Sequence, residues 1–395
     1  MNRGKIGSNP LMRILFFNYE YPPLGGGAAN ATAYILREFS KIPDLEVDLV
    51  TTSASEKYEL ENIGNNIKVH KMPIGKNAKN LHFQSQKDLL VYAWKAYFFG
   101  KKLIKKNKYD LSHSFFTVPC GFLSLIYYRL YKLPYIVSLR GSDVPGFSDR
   151  FSLIYAILPP LIRQIWAKAA AVISASAGLE ELALKTSPSQ SMGIIYNGID
   201  IDHFRPKPET RPAGKFIVTT GASRVTVRKG IRYLIEAVAK ISFRYPEICL
   251  KVMGDGNDKK NMEAFAQELK MEKHIEFLGR IPREETGPYY QEASAFVLPS
   301  LNEGMSNAML EALASGLPLI ATDTGGSKEL IKEGENGFVV KMKDSADIAL
   351  KIEKLINNPE LVRSMGEKSR ERALEMSWNN VAGSYYKLYK KVKSS

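Results

Sequence analysis

The segment AFVLPSLNEGMSNAMLEALASGLPLIATD, residues 295–323, alternates two kinds of pattern. An apolar run at 295–300 is followed by a glycine-containing turn at 301–306, a helical pattern at 306–315 and a second apolar run at 318–323. Short apolar runs are typical of buried parallel strands, and the helix between them supplies the crossover that such strands need. The segment therefore predicts a βαβ unit, the building block of a doubly wound α/β sheet.

The same alternation continues in both directions along the 395-residue chain. Five earlier apolar runs are interpreted as strands of a first sheet: RILFFN, EVDLVT, YDLSHSF, YIVSLR and AAVISAS. The proline-rich segment HFRPKPETRPAGK interrupts the pattern, which resumes at FIVTTG. We therefore predict two doubly wound, Rossmann-like domains, residues 1–205 and 206–376, with a C-terminal helix at 377–395 that packs back on the first. Ligands of such sheets bind beyond the carboxyl ends of the strands, so the domains are expected to face each other across a cleft.

Composition limits the class of protein. The net charge of +14 favours an anionic partner without identifying one. The two cysteines, Cys120 and Cys249, provide neither a disulfide framework nor metal-ligand spacing, so a reducing, cytoplasmic location is expected. No apolar run reaches the length of a membrane span, so the protein is expected to be soluble or peripheral.

Two strand-to-helix junctions carry groups suited to a phosphate. The segment YEYPPLGGGAAN, residues 19–30, places glycines where the backbone can approach a ligand and a helix N-terminus favours negative charge. The segment GASRVTVRKG, residues 221–230, places Arg224 and Lys229 in a loop where they can neutralise a pyrophosphate. Each pattern taken alone also fits an ordinary turn or a pair of solvated loop cations.

Residues 301–316 hold two glutamates, Glu303 in the turn and Glu311 in the helix. Helical side chains lean toward the helix N-terminus, so Glu311 can reach back to the edge where Glu303 lies. A carboxylate there suits a diol such as a ribose, and the backbone N–H groups of residues 304–307 remain available for phosphate. The alternative is an ordinary helix with glutamates at favourable N-terminal positions.

Taken together, these motifs resemble those of the retaining GT-B glycosyltransferases of family four, the glycosyl transferases group 1 family. Glu303 and Glu311 match its E-x7-E motif, and Arg224 with Lys229-Gly230 matches its R-x4-K-G motif. The resemblance covers nearly the whole chain and is looser over residues 40–110. It includes, in the order of the family, the segments PPLGGG, IIYNGIDIDHFRP, VMGDG, EFLGRI, SGLPLIATDTGG and KELIKEGENGFVV.

The resemblance implies an enzyme of the GT-B type that binds a nucleotide-diphosphate sugar mainly through its second domain and retains the anomeric configuration. Arg224 and Lys229 would stabilise the departing diphosphate, Glu311 would bind the ribose hydroxyls, and Glu303 would hold the donor sugar. The other donor-binding residues implied by the motifs are Gly26, Gly27, Arg280, Gly304, Met305, Ser306 and Asn307. No metal and no cofactor is implied. The D-x-D-like residues 200–202 lie inside the hinge segment of the family, which here is IIYNGIDIDHFRP, residues 194–206.

The first domain departs from the family pattern at two positions. The frequent D-x-x-H-x-H motif is represented by DLSHSFF, with His113 followed by Phe115 in place of a second histidine. His113 is therefore either a catalytic residue or a partly buried strand-end histidine. Arg140 stands where the family often has a histidine before glycine. The candidates for contacts with the donor sugar or the acceptor are Arg140, Asp143 and Asn197.

Residues 87–108, KDLLVYAWKAYFFGKKLIKKNK, contain seven lysines against Asp88 and interleave them with aromatic residues. A basic, aromatic, amphipathic helix can lie on an anionic membrane surface. Such a position would suit a lipid-linked acceptor or cell-surface glycan precursor at the inner face of the membrane. The alternative is an aromatic stripe facing the core and a solvated lysine face.

Two other classes of protein use similar features. A basic nucleic-acid-binding protein would explain the charge but has no use for Glu303 or Glu311. A Rossmann oxidoreductase would need an acidic residue about 20 positions after the first glycine loop, where Glu46 and Asp48 lie. That reading leaves the second domain unexplained, so glycosyl transfer without nucleic acid is preferred.

Overall fold

The chain divides into two units. The computed structural model describes residues 11–76, 81, 84–147, 157–302, 305–324 and 326–394, but not the side chains of residues 222–224. The first unit comprises Met1–Ala175, Leu179–Tyr196 and Trp378–Ser395, and the second comprises Ser176–Gly178 and Asn197–Ser377. The sequence predicts a domain boundary at 205/206, whereas the chain enters the second unit after Tyr196, because residues 197–205 pack with that unit.

The first unit is built on an eight-stranded sheet with the order β3-β4-β2-β1-β5-β6-β7-β8. Its neighbouring strands are parallel except for β3 and β4, which are antiparallel. The strands are β1 Met12–Phe17, β2 Leu45–Ser53, β3 Glu59–Ile63, β4 Ile67–Pro73, β5 Leu111–Phe115, β6 Tyr135–Ser138, β7 Ala171–Ser174 and β8 Gly193–Ile194. The central strands are buried along nearly their whole length, which explains their continuous apolar runs.

The described helices before residue 197 are α1 Gly27–Phe39, α2 Gln86–Lys106, α3 Phe122–Tyr131, α4 Pro159–Lys168 and α5 Ala177–Thr186. The long helix α2 begins with a capping box, in which the Ser85 hydroxyl accepts from the Asp88 amide and the Asp88 carboxylate accepts from the Ser85 amide. Two orphan amides of the helix end are satisfied in this way, so the sequence fixes where α2 starts.

The second unit is built on a six-stranded parallel sheet with the order β11-β10-β9-β12-β13-β14. Its strands are β9 Phe216–Arg224, β10 Ile248–Asp255, β11 Ile275–Gly279, β12 Ala295–Leu298, β13 Leu319–Thr322 and β14 Gly337–Val340. Its described helices are α6 Ile231–Ser242, α7 Lys259–Glu268, α8 Gly287–Gln291, α9 Asn307–Ala314, α10 Ser327–Leu330, α11 Ser345–Ile356 and α12 Pro359–Glu375.

The last helix, α13 Trp378–Ser394, belongs to the first unit. Trp378 stacks on Tyr34 of α1 with 5.2 Å between ring centroids, and Tyr389 lies 5.7 Å from Phe39. Aromatic pairs of this kind stabilise a helix–helix contact beyond the area they bury. The chain therefore crosses back to the first unit near residue 377.

The βαβ prediction for residues 295–323 is confirmed by β12, α9 and β13. The helix before β12 is short, Gly287–Gln291, and a separate 3-10 turn at Arg283–Glu285 precedes it. The strands β3 and β4 were not predicted, because β3 is a polar, largely exposed edge strand and lysines interrupt the apolar residues of β4. Over the described part of the chain, no helix is long and apolar enough to cross a bilayer.

Candidate functional site

The two motif loops of the second unit lie at the switch point of its sheet. Strand β9 pairs with β10 on one side and with β12 on the other, and all three run in the same direction. The loops that follow β9 and β12 therefore leave adjacent strands at the same edge. Ligands of open α/β sheets bind at such a point, so this edge is the candidate donor site.

A hydrogen bond and a close backbone contact hold these loops together. The Leu301 amide donates to the Arg228 carbonyl at 2.8 Å. Gly230 has φ of +65°, and a Cβ atom there would lie 2.1 Å from the Pro299 carbonyl oxygen. Only glycine permits both the left-handed conformation and this approach. The glycine of R-x4-K-G thus keeps its loop against the loop that leads into E-x7-E.

The structure describes part of the predicted donor set. Lys229 ends a 3-10 turn and is half-buried, and Arg224 is the last residue of β9, with its side chain outside the described part of the chain. Glu303 and Gly304 also lie outside the described residues. Met305 is half-buried, Ser306 is buried, and Asn307 is exposed as the first residue of α9. The amides of that first turn have no intrahelical acceptor, which suits an anion.

Glu311 lies inside the second unit with only 7% of its surface exposed. Its Oε1 accepts from Arg283 Nε at 2.8 Å, and its Oε2 accepts from the Tyr290 hydroxyl at 3.0 Å. Burial raises the pKa of the Glu311 carboxyl above its ordinary value, while the Arg283 charge and both hydrogen bonds act in the opposite direction. A carboxylate with one protein donor on each oxygen still has lone pairs for hydroxyl groups.

Gly221 of β9 makes room for this arrangement. A Cβ atom at Gly221 would lie 2.6 Å from the Tyr290 hydroxyl and 3.2 Å from Cβ of Ala308. The sequence pointed to Glu311 but missed Arg283 and Tyr290, because no local spacing connects them to it. Arg280, also predicted to contact the donor, is exposed just after β11.

The glycine loop of the first unit follows β1 and leads into α1. Gly26 precedes the helix, Gly27 is its first residue, and both are exposed. The Gly26 amide donates to the Glu20 carboxylate at 3.2 Å. Strand β1 lies between β2 and β5 at the switch point of the first sheet. The loop is therefore placed where a ligand of this sheet would bind.

His113 is fully buried in β5. Its Nδ1 lies 2.6 Å from the Tyr389 hydroxyl, its Nε2 lies 2.8 Å from the Ser138 hydroxyl, and its ring stacks on Phe16. Burial, aided by the charge of Arg140, lowers the pKa of His113 to about 3, so the ring stays neutral. A neutral ring with both nitrogens bonded inside the core favours the structural interpretation of His113 over the catalytic one.

The two departures from the family pattern contact each other. The Arg140 guanidinium lies 4.3 Å from the centroid of the Phe115 ring, a cation–π contact. Burial lowers the pKa of Arg140, and a hydrogen bond to Tyr385 of α13 raises it. Phe115 thus supports the arginine that stands in place of a family histidine. Arg140 remains a candidate for substrate contact, since it is only half-buried.

The Asp143 carboxylate joins its own loop to Thr117, which follows β5. One oxygen accepts from the Thr117 amide and hydroxyl at 2.8 and 3.1 Å, and the other accepts from the Arg140 and Gly141 amides at 2.9 and 3.1 Å. Four such bonds assign Asp143 to positioning Arg140, which the sequence could not show. Asn197, the remaining candidate, is half-buried at the start of the second unit.

The D-x-D-like residues are part of a turn. Asp200 Oδ1 accepts from the amides of Asp202 and His203 at 3.2 and 3.0 Å. Among the described residues, no three His, Cys, Asp or Glu side chains are grouped so that they could hold a metal ion.

Comparison with known proteins agrees with this architecture. The model of the glycosyl transferases group 1 matches residues 201–372, and that of glycosyltransferase family 4 matches residues 25–203. An uncharacterized glycosyltransferase of Methanocaldococcus jannaschii is 26% identical over 386 residues, which are 97% of this chain and 99% of the relative.

Solved structures show the same fold over nearly the whole chain. Sucrose-phosphate synthase from Thermosynechococcus elongatus has a TM-score of 0.79 at 22% identity and covers 97% of this chain and 99% of its own. Anabaena HepE, solved in complex with UDP, has a TM-score of 0.73 at 17% identity and covers 96% of this chain and 100% of its own. The two Rossmann-like units therefore form a GT-B fold, and the chain belongs to the family four, group 1 glycosyltransferases.

Proposed function

We propose that this glycosyltransferase moves a sugar from a nucleotide-diphosphate sugar to an acceptor hydroxyl with retention of anomeric configuration. The observation that carries the proposal is the buried Glu311 carboxylate at the switch point of the second sheet. It lies on α9, the helix that follows the E-x7-E loop, and that loop is bonded to the loop of R-x4-K-G. Glu311 would accept from the ribose hydroxyls, Glu303 would hold the sugar, and the first amides of α9 would bind phosphate.

The chemical step is same-face displacement. The bond from the anomeric carbon to the diphosphate oxygen breaks, and a bond to the acceptor oxygen forms on the same face. The acceptor proton passes to the departing phosphate oxygen, so no separate base is needed. Arg224 and Lys229 would neutralise the charge that develops on the diphosphate.

The proposal is tested by binding and product analysis. Calorimetry with UDP-, GDP- and ADP-sugars should reveal micromolar binding of one nucleotide class. NMR of the product made with the matching sugar should show the anomeric configuration of the donor. An inverted product would contradict the retaining mechanism, and absence of binding by every nucleotide sugar would contradict the function.

Activity is expected to persist without divalent metal. The cation pair and the helix N-terminus would supply the charge that a metal supplies in other transferases. Transfer rates measured with and without excess EDTA should agree within about twofold. An enzyme that EDTA silences and Mg²⁺ or Mn²⁺ restores would contradict the cation-pair mechanism.

The surface of α2 supports an anionic membrane as the second partner. Leu90, Trp94 and Phe98 are 71%, 64% and 53% exposed, and the opposite face of α2 buries Tyr92, Ala96, Gly100 and Leu103. At 100° per residue, the three exposed apolar side chains share a face about 80° wide with Lys87, Lys101 and Lys105. The aromatics are thus divided between the core and an outward apolar stripe with lysines at both ends.

An apolar stripe with flanking lysines matches the chemistry of a lipid interface, where apolar side chains enter the headgroup layer and lysines meet anionic phosphates. On this basis we propose that the acceptor is a lipid-linked or cell-surface glycan precursor and that the enzyme acts peripherally at the inner face of the membrane.

Replacing Lys101, Lys102, Lys105 and Lys106 by glutamine should weaken liposome binding. Each lysine near an anionic leaflet contributes about 1 kcal/mol, and with half of them facing the lipid the loss is about 2 kcal/mol, or about 30-fold in partition. Co-sedimentation with phosphatidylserine-containing vesicles at two salt concentrations measures this loss.

The matched control replaces four exposed lysines of the second unit, Lys215, Lys260, Lys273 and Lys343, and so removes the same charge. The control variant should partition like the parent. Equal partition of the α2 variant and the parent would show that the lysine face of α2 is solvated and does not bind lipid.

A further inference from the structure

We infer that Arg283 and Tyr290 are positioning residues that hold Glu311 as an oriented anion for the two hydroxyls of the donor ribose. This inference rests on the proposed function, which assigns the ribose to Glu311. Neither residue belongs to the E-x7-E or R-x4-K-G motif, and both come from the segment between β11 and β12.

The two protein donors use half of the acceptor positions of the Glu311 carboxylate. An ionised carboxylate offers about four acceptor positions. Arg283 Nε uses one on Oε1 and the Tyr290 hydroxyl uses one on Oε2. The remaining capacity is one position on each oxygen, which matches a vicinal diol. Because each oxygen is fixed by a different helix or turn, the carboxylate plane cannot rotate freely.

The residues packed around Arg283 hold it in place. Its guanidinium lies 5.8 Å from the Phe204 ring centroid, and that ring packs edge-on against Tyr290 at 5.9 Å. Arg370 donates to the carbonyls of Phe204 and Ala314 at 2.9 and 2.8 Å. Ala314 ends α9, the helix that carries Glu311. Glu311 and Arg283 therefore contact each other directly, and Arg370 also links the hinge segment beside Arg283 to the end of α9.

Arg283 and Tyr290 favour the ionised form of the buried Glu311 carboxyl. Burial raises the pKa of Glu311, and three groups lower it: Arg283 from the 3-10 turn, Tyr290 from α8 and His203 from the hinge segment. Burial also raises the pKa of Tyr290 well above its ordinary value, so its hydroxyl remains a donor. Without Arg283, a buried Glu311 would take up a proton at a higher pH and lose half of its diol-binding capacity.

A nucleotide cycle separates positioning from general damage. The probes are UDP, GDP and ADP and the 2′,3′-dideoxy form of whichever binds. In Arg283→Gln, affinity for the ribonucleotide should fall about 10- to 100-fold, the worth of a charge-assisted hydrogen bond. Affinity for the dideoxy nucleotide should change less than about twofold, because it lacks the diol that Glu311 binds. Tyr290→Phe should show the same selectivity with a smaller loss.

The pH profile supplies a readout that a purely structural role would not move. Wild-type affinity for the ribonucleotide should fall as pH falls through the pKa of Glu311, because only the anion accepts from both hydroxyls. In Arg283→Gln the inflection should move to higher pH, and Arg283→Lys, which keeps the charge, should move it back. Arg363→Gln, which breaks an exposed ion pair with Glu360, is the matched control and should leave the profile unchanged.

The outcomes distinguish this inference from the proposed function. Glu311→Gln should lower the affinity for the ribonucleotide and leave the affinity for the dideoxy form unchanged. If it lowers both affinities equally, or if no nucleotide binds, the assignment of the ribose to Glu311 fails. A different outcome is that Glu311→Gln lowers only the ribonucleotide affinity while Arg283→Gln lowers both affinities equally or keeps the wild-type pH profile. In that case the positioning role alone is overturned.

Discussion

Replacing Arg224 and Lys229 together by alanine is expected to lower kcat/KM about 30- to 1,000-fold. The loss corresponds to about 2–4 kcal/mol of transition-state stabilisation, by analogy with removing donors that face a developing oxyanion. Arg224 is the last residue of β9 and Lys229 lies in the loop that follows it, at the switch point of the second sheet. Steady-state kinetics with the identified donor and acceptor measures the effect, which should fall mainly on kcat.

The control for this variant removes the same two kinds of charge elsewhere in the second unit. Arg363 and Lys368 lie exposed on α12 and pair with Glu360 and Glu371. Exposed pairs of this kind contribute little, so Arg363→Ala/Lys368→Ala should keep its rates within about twofold. Near-wild-type turnover of Arg224→Ala/Lys229→Ala would show that the diphosphate is bound elsewhere.

The fold was predictable because its elements alternate in a way that few architectures share. A strand such as β12, buried on both faces, has to be apolar throughout, and a crossover helix such as α9 has to follow it. The polar strand β3 escaped prediction for the opposite reason, since an exposed edge strand carries no such constraint. Strand β4 was missed although it is largely buried, because Lys68, His70 and Lys71 interrupt its apolar run. A continuous apolar run therefore identifies a strand buried on both faces, and strands without such a run are missed.

The site was only partly predictable, because side chains distant in sequence decide what each residue does. His113 and Asp143 were both candidates from the sequence, yet His113 is bonded by Tyr389 and Ser138. The Asp143 carboxylate accepts from the amides of Thr117 and Arg140. The partners of Glu311 come from a separate turn and helix. Spacing can identify a carboxylate near a site, but only packing shows which groups keep it charged and where its remaining acceptors are.

Gly230→Ala is expected to destabilise the second unit by about 3 kcal/mol, combining about 1–2 kcal/mol for a left-handed alanine with about 1–3 kcal/mol for overpacking. The added methyl would overlap the Pro299 carbonyl oxygen, which lies 2.1 Å from the Cβ position. Relief of that overlap has to separate the loop of Lys229 from the loop of residues 299–302. Hydrogen exchange of peptides covering 225–242 and 296–302 is the suitable measurement, because all three tryptophans, Trp94, Trp166 and Trp378, lie in the first unit.

Gly214→Ala separates the two causes. Gly214 has φ of +71°, close to that of Gly230, but no atom lies within 4 Å of its Cβ position. Gly214→Ala therefore has only the conformational cost of a left-handed alanine, about 1–2 kcal/mol. It should leave hydrogen exchange at 225–242 and donor affinity unchanged. If the two variants exchange alike, the Pro299 contact does not constrain the loops. If instead only Gly230→Ala increases hydrogen exchange in both peptides and lowers donor affinity, the glycine of R-x4-K-G holds one motif loop against the other. A side chain is not tolerated there because a backbone oxygen occupies that space.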